Sequence, residues 1–400
     1  MKHSRRIYLD HSATTPVDLR VVEAMNESML EHFGNPSSVH SYGRDAKEAL
    51  DFARISVARL IDADSDDIFF TSGGTEADNL AIIGYCERNR DRGNHVIISS
   101  IEHSAVLLSA KVLESRGFKV TKVKPTPSGE VVASDIEKAI TVGTLLVSVM
   151  HANNEVGTIN DIGAIAKVAH AHGAVFHTDA VQTFGKISIS VAEMGIDMLS
   201  LSAHKIYGPK GVGALYIRKG VSVSQRQFGG HQEAEIRPGT ENLPGIVGLG
   251  TATDLSRNEM TTEAVRLRQL RDALWSQISN SLDNVTLNGH QENRIPGNLN
   301  ITFKGVEGEA LLVALDLEGI SVSSGSACSS GSTTPSHVLT EIGLSPEEAN
   351  STLRLTLGRG NSMEDIERTA EVIIKSVIRL RFMDKPFQDI TSGRYQAVRA

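Results

Sequence analysis

Cysteine is nearly absent: Cys86 and Cys328 are the only two in 400 residues, which rules out a framework of disulfides. Long apolar runs are missing as well. No uninterrupted stretch is long enough to span a bilayer. Behind the basic start Met1-Lys2-His3-Ser4-Arg5-Arg6 there is no apolar signal region, so a cytoplasmic location is expected. Positive charge is not in excess. The 40 Lys and Arg against 48 Asp and Glu leave a net charge of −8, which gives no support to a general nucleic-acid or membrane-surface binder. Internal repeats and low-complexity linkers are not found. What remains is an ordinary soluble-enzyme composition, 22% charged and 40% hydrophobic, in a chain long enough for a large core and more than one domain.

From about residue 45 to residue 220, short Val/Ile/Leu-rich runs alternate with helix-length stretches. The runs are 67–70, 95–99, 145–151, 175–178, 198–201 and 213–217. Several are apolar throughout rather than alternating, as in a parallel sheet covered on both faces, so the fold class is α/β. The segment 162–172 has helical spacing and stops at Gly173.

Polar groups collect where these strands end. Thr71-Ser72-Gly73-Gly74-Thr75-Glu76-Ala77 follows a strand and opens a helix; free N–H groups and a positive dipole end make a phosphate seat there. The same residues also satisfy a Ser/Thr helix cap after a glycine turn. His103, in Ser99-Ser100-Ile101-Glu102-His103, stands where ligands bind in such sheets and is suited to stack on an aromatic ring and shuttle protons, although a lone histidine is commonly structural. Asn153-Asn154-Glu155-Val156-Gly157 comes after the next strand. In His177-Thr178-Asp179-Ala180-Val181-Gln182, Asp179 reads either as a helix N-cap or as a carboxylate for a pyridinium nitrogen.

The fifth strand end is Ser202-Ala203-His204-Lys205-Ile206-Tyr207-Gly208-Pro209-Lys210-Gly211, a glycine-rich loop around a lysine. Partial burial beside other cations lowers the pKa of a lysine toward the nucleophilic amine. Lys205 is therefore the candidate for covalent attachment of pyridoxal 5′-phosphate (PLP). Cofactor-suited groups at five successive strand ends are hard to ascribe to coincidence.

Ser202-Ala203-His204-Lys205 with Gly208-Pro209-Lys210-Gly211, Thr178-Asp179-Ala180 with Gln182, and Asn153-Asn154-Glu155 together resemble the IscS/NifS-type cysteine desulfurases, fold-type I PLP enzymes related to the class-V aminotransferases. The resemblance runs from Tyr8 to about Gly360. It implies that Lys205 anchors PLP, that Asp179 partners the pyridine nitrogen and that His103 is the ring-stacking acid/base. Gln182 would contact the phenolic oxygen with Asn154 nearby, and Gly74, Thr75, Ser202 and His204 would seat the phosphate. Thr240 would reach the phosphate of the other subunit in a homodimer. Two positions depart from the family pattern: Gly74, where alanine is common, and Pro238, where threonine or serine is frequent.

Which reaction such a site performs turns on Ser323-Ser324-Gly325-Ser326-Ala327-Cys328-Ser329-Ser330-Gly331-Ser332. A thiol among small residues that pack poorly should be exposed and reactive, whereas Cys86 sits inside an apparent helix and should be inert. The resemblance implies that Cys328 accepts sulfur from L-cysteine, in a loop whose length is that of the IscS/NifS group. No resident metal is implied, with Cys328 at most a transient cluster ligand. Arg354, on an apparent strand, would hold the substrate carboxylate, as Asn154 would help to; its guanidinium fork suits a bidentate contact. The persulfide would pass to an iron–sulfur scaffold or another sulfur-acceptor protein, with no direct nucleic-acid or membrane partner. Rival readings are a class-V aminotransferase, which needs no such cysteine, and a non-enzymatic sulfur-relay or assembly platform.

The expected domains are a large PLP-binding one, 16–260, and a small one combining 1–15 with 261–383 and carrying the cysteine loop. A helix over 265–282 is expected to connect them. In the small domain, 298–303, 320–323 and 352–356 read as strands and 308–317 and 363–382 as helices. A polar tail, 384–400, follows.

Overall fold

A computed structural model describes residues 6–324 and 334–383. Cys328 and the polar tail 384–400 lie outside the described residues.

Seven strands form the principal sheet, in the order Ile68–Thr71, Gly213–Ile217, Met198–Ser202, Val175–Asp179, Thr144–Ser148, His95–Ser99 and Lys119–Val123. Their side chains alternate between two apolar clusters. Ile97, Val147, Phe176 and Leu199 enter one, while Val96, Ile98, Leu146 and Met198 enter the other. Both faces of the sheet are thereby covered, which is why these runs read as continuously apolar.

Only Gly213–Ile217 runs against the rest. It pairs antiparallel with both neighbours, while the remaining pairs are parallel. Six strands therefore point one way, and the five loops singled out in the sequence leave the same edge of the sheet. Thr71 and Ser202 both lie opposite Gly213, so the Gly73-Gly74 loop and the Lys205 loop leave side by side. A Cβ at Gly213 would stand 2.4 Å from the Leu201 carbonyl oxygen and 2.8 Å from Gly73 Cα. Only glycine lets the three strands approach this closely.

A second sheet, antiparallel throughout, has the order Ser323–Ser324, Thr352–Thr356, Asn298–Phe303 and Val285–Leu287. The expected strand over 320–323 is interrupted at Val322. Ile320–Ser321 pairs instead with Ile7–Tyr8, which ties the N-terminal segment to this sheet. Helices Gly308–Leu317 and Met363–Met383 pack in the same region, around an apolar cluster that contains Leu299, Leu311, Leu353 and Ile373.

The connecting helix differs from the expectation. It is one helix of 39 residues, Leu243–Ser281, beginning some twenty residues earlier than 265. Asn242 caps it, and Pro244 stands in its first turn, where a missing N–H costs nothing. Gly245, Gly248 and Gly250 lie within it, although glycine weakens an isolated helix. A Cβ at Gly250 would stand 2.7 Å from Ala53 Cα, so glycine here serves close packing against the helix Ser41–Leu60.

Candidate active site

A cleft of about 930 Å³ lies where the five loops converge. Gly74, Thr75, His103, Asn154, Asp179, Gln182, Ser202, His204, Lys205 and Arg354 all line it. Thr240 does not: it is exposed, beyond the cleft wall.

Lys205 closes a single 3-10 turn, Ala203–Lys205, directly after the strand Met198–Ser202. Its Nζ donates to the carbonyl oxygens of Ser12 and Ala13 at 2.6 and 2.7 Å. These acceptors belong to the N-terminal segment, which is pinned over the lysine loop. Thr15 N donates to His204 O at 2.9 Å, and Tyr207 N donates to Thr15 Oγ1 at 2.8 Å. Tyr207 adopts φ 66, a left-handed conformation unusual for a bulky residue, and Arg359 N donates to its hydroxyl at 2.7 Å. Strain of this kind gathers where surrounding structure fixes a site.

Opposite the lysine, Asp179 ends the strand Val175–Asp179, and Val181 N donates to its Oδ1 at 2.9 Å. Burial pushes its carboxyl up, while His103, the Val181 N–H and Lys205 pull it down. A cationic ring nitrogen would add to the second group and favour the carboxylate. His103 caps the helix Ser104–Ser115, its Nδ1 accepting from Ala105 N at 3.2 Å, so the neutral ring carries its proton on Nε2. Burial, then Lys205, pushes His204 down to about 4, and this imidazole is neutral at physiological pH.

The helix Gly74–Asn79 starts at Gly73, which offers no side chain to the first-turn amides. Those N–H groups stand beside Ser202 and His204, an arrangement made for a phosphate. A Cβ at Gly74 would lie 2.6 Å from Val181 Cγ2, so the departure from alanine is matched by a valine filling the space.

Arg354 lies on the strand Thr352–Thr356 and is 1% exposed. Its Nη2 donates to Asp10 Oδ1 at 2.8 Å and its Nη1 to Asn154 O at 3.3 Å. Nε is buried without a partner.

Five further residues of the lining were not among the expected site residues: Ser12, Ala13, Asp78, Met150 and Val181. Two of them carry hydrogen-bond acceptors on the backbone, which no side chain announces. Asp78 is 1% exposed with Oδ1 lacking a hydrogen-bond partner. Burial, reinforced by Asp179, raises its carboxyl well above the usual range. Cys86, by contrast, is as expected: buried, with its thiol pushed far up by burial.

A primary amine, a carboxylate opposite it, an amide between them, an imidazole and uncapped helix amides form the donor set that PLP requires, and the residues present fit it.

The family model for class-V aminotransferases matches residues 7–369. A curated relative, cysteine desulfurase IscS of Dictyoglomus turgidum, is 48% identical over 377 residues, covering 94% of this chain and 96% of that protein. Among solved structures, a NifS-like protein superposes with a TM-score of 0.88 at 36% identity, covering 94% of this chain and all of that one. SspA in complex with cysteine gives a TM-score of 0.79 at 39% identity, over 88% of this chain and 98% of that one. The likeness thus extends from the lysine loop through both sheets, and this chain belongs to the class-V aminotransferase family, in its IscS/NifS branch.

Proposed function

We propose that this chain is a PLP-dependent cysteine desulfurase that converts L-cysteine to L-alanine and hands the sulfur to its own Cys328. The observation that carries the reading is the convergence of Lys205, Asp179, His103, Gln182 and Arg354 on one cleft. The names of the relatives support the choice of reaction, IscS and NifS-like among them, and SspA was solved with cysteine.

When bound, PLP supplies an electron sink at the substrate α-carbon. The chain supplies the rest. Arg354 grips the substrate carboxylate, with Asn154 beside it. Asp179 holds charge opposite a ring nitrogen, and Gln182 donates to the phenolic oxygen. Gly74, Thr75, Ser202 and His204 seat the phosphate. Lys205 Nζ and His103 Nε2 move the protons. Cys328 Sγ takes the sulfur: the carbon–sulfur bond of L-cysteine breaks and a sulfur–sulfur bond forms. L-Cysteine and one thiol give L-alanine and one persulfide, so no outside reductant enters.

The acting unit is a homodimer in which Thr240 reaches the cleft of a second copy. Its exposure supports this, as do the exposed Leu19, Leu30, Phe33 and Phe52. The two apolar clusters support a large domain over 16–260 and a small one over 1–15 with 261–383. Delivery to an iron–sulfur scaffold or another sulfur acceptor in the cytoplasm completes the proposal. No helix among the described residues is long and apolar enough to cross a membrane.

The test is to add L-cysteine to the PLP-loaded protein and measure alanine and Cys328-bound persulfide beside Cys328→Ala. Both products from wild type, with turnover lost and the visible PLP band kept in the variant, are expected. Alanine made equally well without Cys328 would instead fit an aminotransferase-like enzyme.

A further inference from the structure

On the other side of Lys205 a second pocket lies between the lysine loop and the long helix Leu243–Ser281. One wall holds a second lysine. Lys186 follows Gly185, which has φ 69; a Cβ there would meet Ile206 Cγ2 and Ser256 Cβ at 3.0 Å, so this turn accepts only glycine. The charged groups that act most on Lys186 are two other cations, Lys205 and Arg354, which is unusual for a lysine in a cavity wall.

Its polar contact is to Gln182. Lys186 Nζ donates to Gln182 Oε1 at 3.4 Å, and Gln182 Nε2 donates to Ser12 O at 3.0 Å. The same Ser12 oxygen accepts from Lys205 Nζ at 2.6 Å. An ammonium only donates and a carbonyl only accepts, so the two contacts assign both ends of the amide. The remaining Nε2 hydrogen is what Gln182 has to offer an acceptor in the cleft.

We propose that Lys186 is a positioning residue for the catalytic lysine: it fixes the Gln182 amide with its N–H side toward the cleft and sets a second positive charge beside Lys205. The inference rests on the roles proposed above for Lys205 and Gln182.

Charge supports the geometry. Lys205 and Arg354 bear on Lys186 with like sign, and Lys186 in turn acts on His11 and His204. Glu259, Glu263 and Arg359 share the cavity wall. Burial, then Lys205, then Arg354 push the Lys186 amine down to about 7. An anionic cofactor in the adjoining cleft favours its charged form. A cation at Lys186 opposes a proton at Lys205, so removing it raises the proton affinity there.

The experiment is a pH titration of the visible absorption band of PLP-loaded wild type, Lys186→Met and Lys186→Arg. In Lys186→Met the midpoint should rise by about 0.5 pH unit or more, and Lys186→Arg should stay closer to wild type than to Lys186→Met. If Lys186→Met does not load PLP, Lys186→Gln makes the same charge deletion. A smaller rise or a fall overturns the proposal, as does an arginine variant that behaves like the methionine one. Should Lys205→Ala keep a wild-type band, the assignment of Lys205 itself fails, and this inference with it.

Discussion

Arg354 and Asp10 form an ion pair at 2.8 Å across two segments 344 residues apart, with the arginine almost fully buried. The N-terminal segment thus supplies the anion that aims the guanidinium at the cleft. Replacing Arg354 by Lys keeps the charge but loses the planar fork. KM for L-cysteine should rise about tenfold while kcat stays within about threefold. Asp10→Asn, which releases the guanidinium, should raise KM in the same sense. Steady-state kinetics decide; a fall in kcat at unchanged KM would remove Arg354 from substrate binding.

Glu102 carries a pH prediction. Ser99 Oγ and Met150 N both donate to its Oε1, at 2.5 and 2.8 Å, while Oε2 is buried without a partner. Burial pushes this carboxyl up to about 8, against its ordinary 4.5. The folded chain therefore binds a proton that the unfolded chain releases across this window. Stability from this group is complete below about pH 4.5 and is lost as pH rises toward 8. Glu102→Gln cannot lose that proton. Its stability relative to wild type should improve by about 3 kcal/mol or more between pH 5 and pH 8. Denaturant melts of both proteins at the two pH values would show it, and a constant difference would contradict it.

The close approach at Gly213 predicts a cost for a single methyl group. In Gly213→Ala the new Cβ meets backbone on both sides, which cannot move aside as a side chain would. A loss of about 2 kcal/mol is expected. PLP retention should weaken as well, because Thr71 and Ser202 lead into both halves of the phosphate seat. Thermal melting and the visible absorbance after dialysis measure the two effects.

Asp179→Asn keeps the size of the side chain and its contact with the Val181 N–H, and removes only the charge. Turnover of L-cysteine should fall about a hundredfold or more while the fold persists. Far-ultraviolet circular dichroism with an alanine-release assay separates these. Turnover within threefold of wild type would take Asp179 out of the charge-holding role.

Strand ends with a polar residue type and a glycine were legible because an apolar run sets the position and a functional side chain marks it. Ten expected residues consequently meet at one cleft. What stayed hidden lacks one of those marks. Ser12 and Ala13 act through backbone oxygens. The strand Lys119–Val123, an edge with two exposed lysines, shows too little apolar character to stand out. The first half of the long helix was masked by glycines that weaken an isolated helix but serve close packing. Arg359 stacks over the Tyr207 ring at 4.3 Å and pairs with Asp18 and Glu259, contacts between segments far apart in the chain that no local pattern announces.

The helix Leu243–Ser281 inserts Leu243, Ile246 and Leu249 into the apolar cluster of the principal sheet and Leu270, Leu274 and Ile278 into that of the smaller one. One uninterrupted rod of hydrogen bonds is thus a structural member of two cores. Neither core can melt without fraying the other, since the helix would lose half of its packing. Denaturation should therefore be a single cooperative event, with near- and far-ultraviolet signals falling together. A chain of this size would otherwise be expected to come apart in stages.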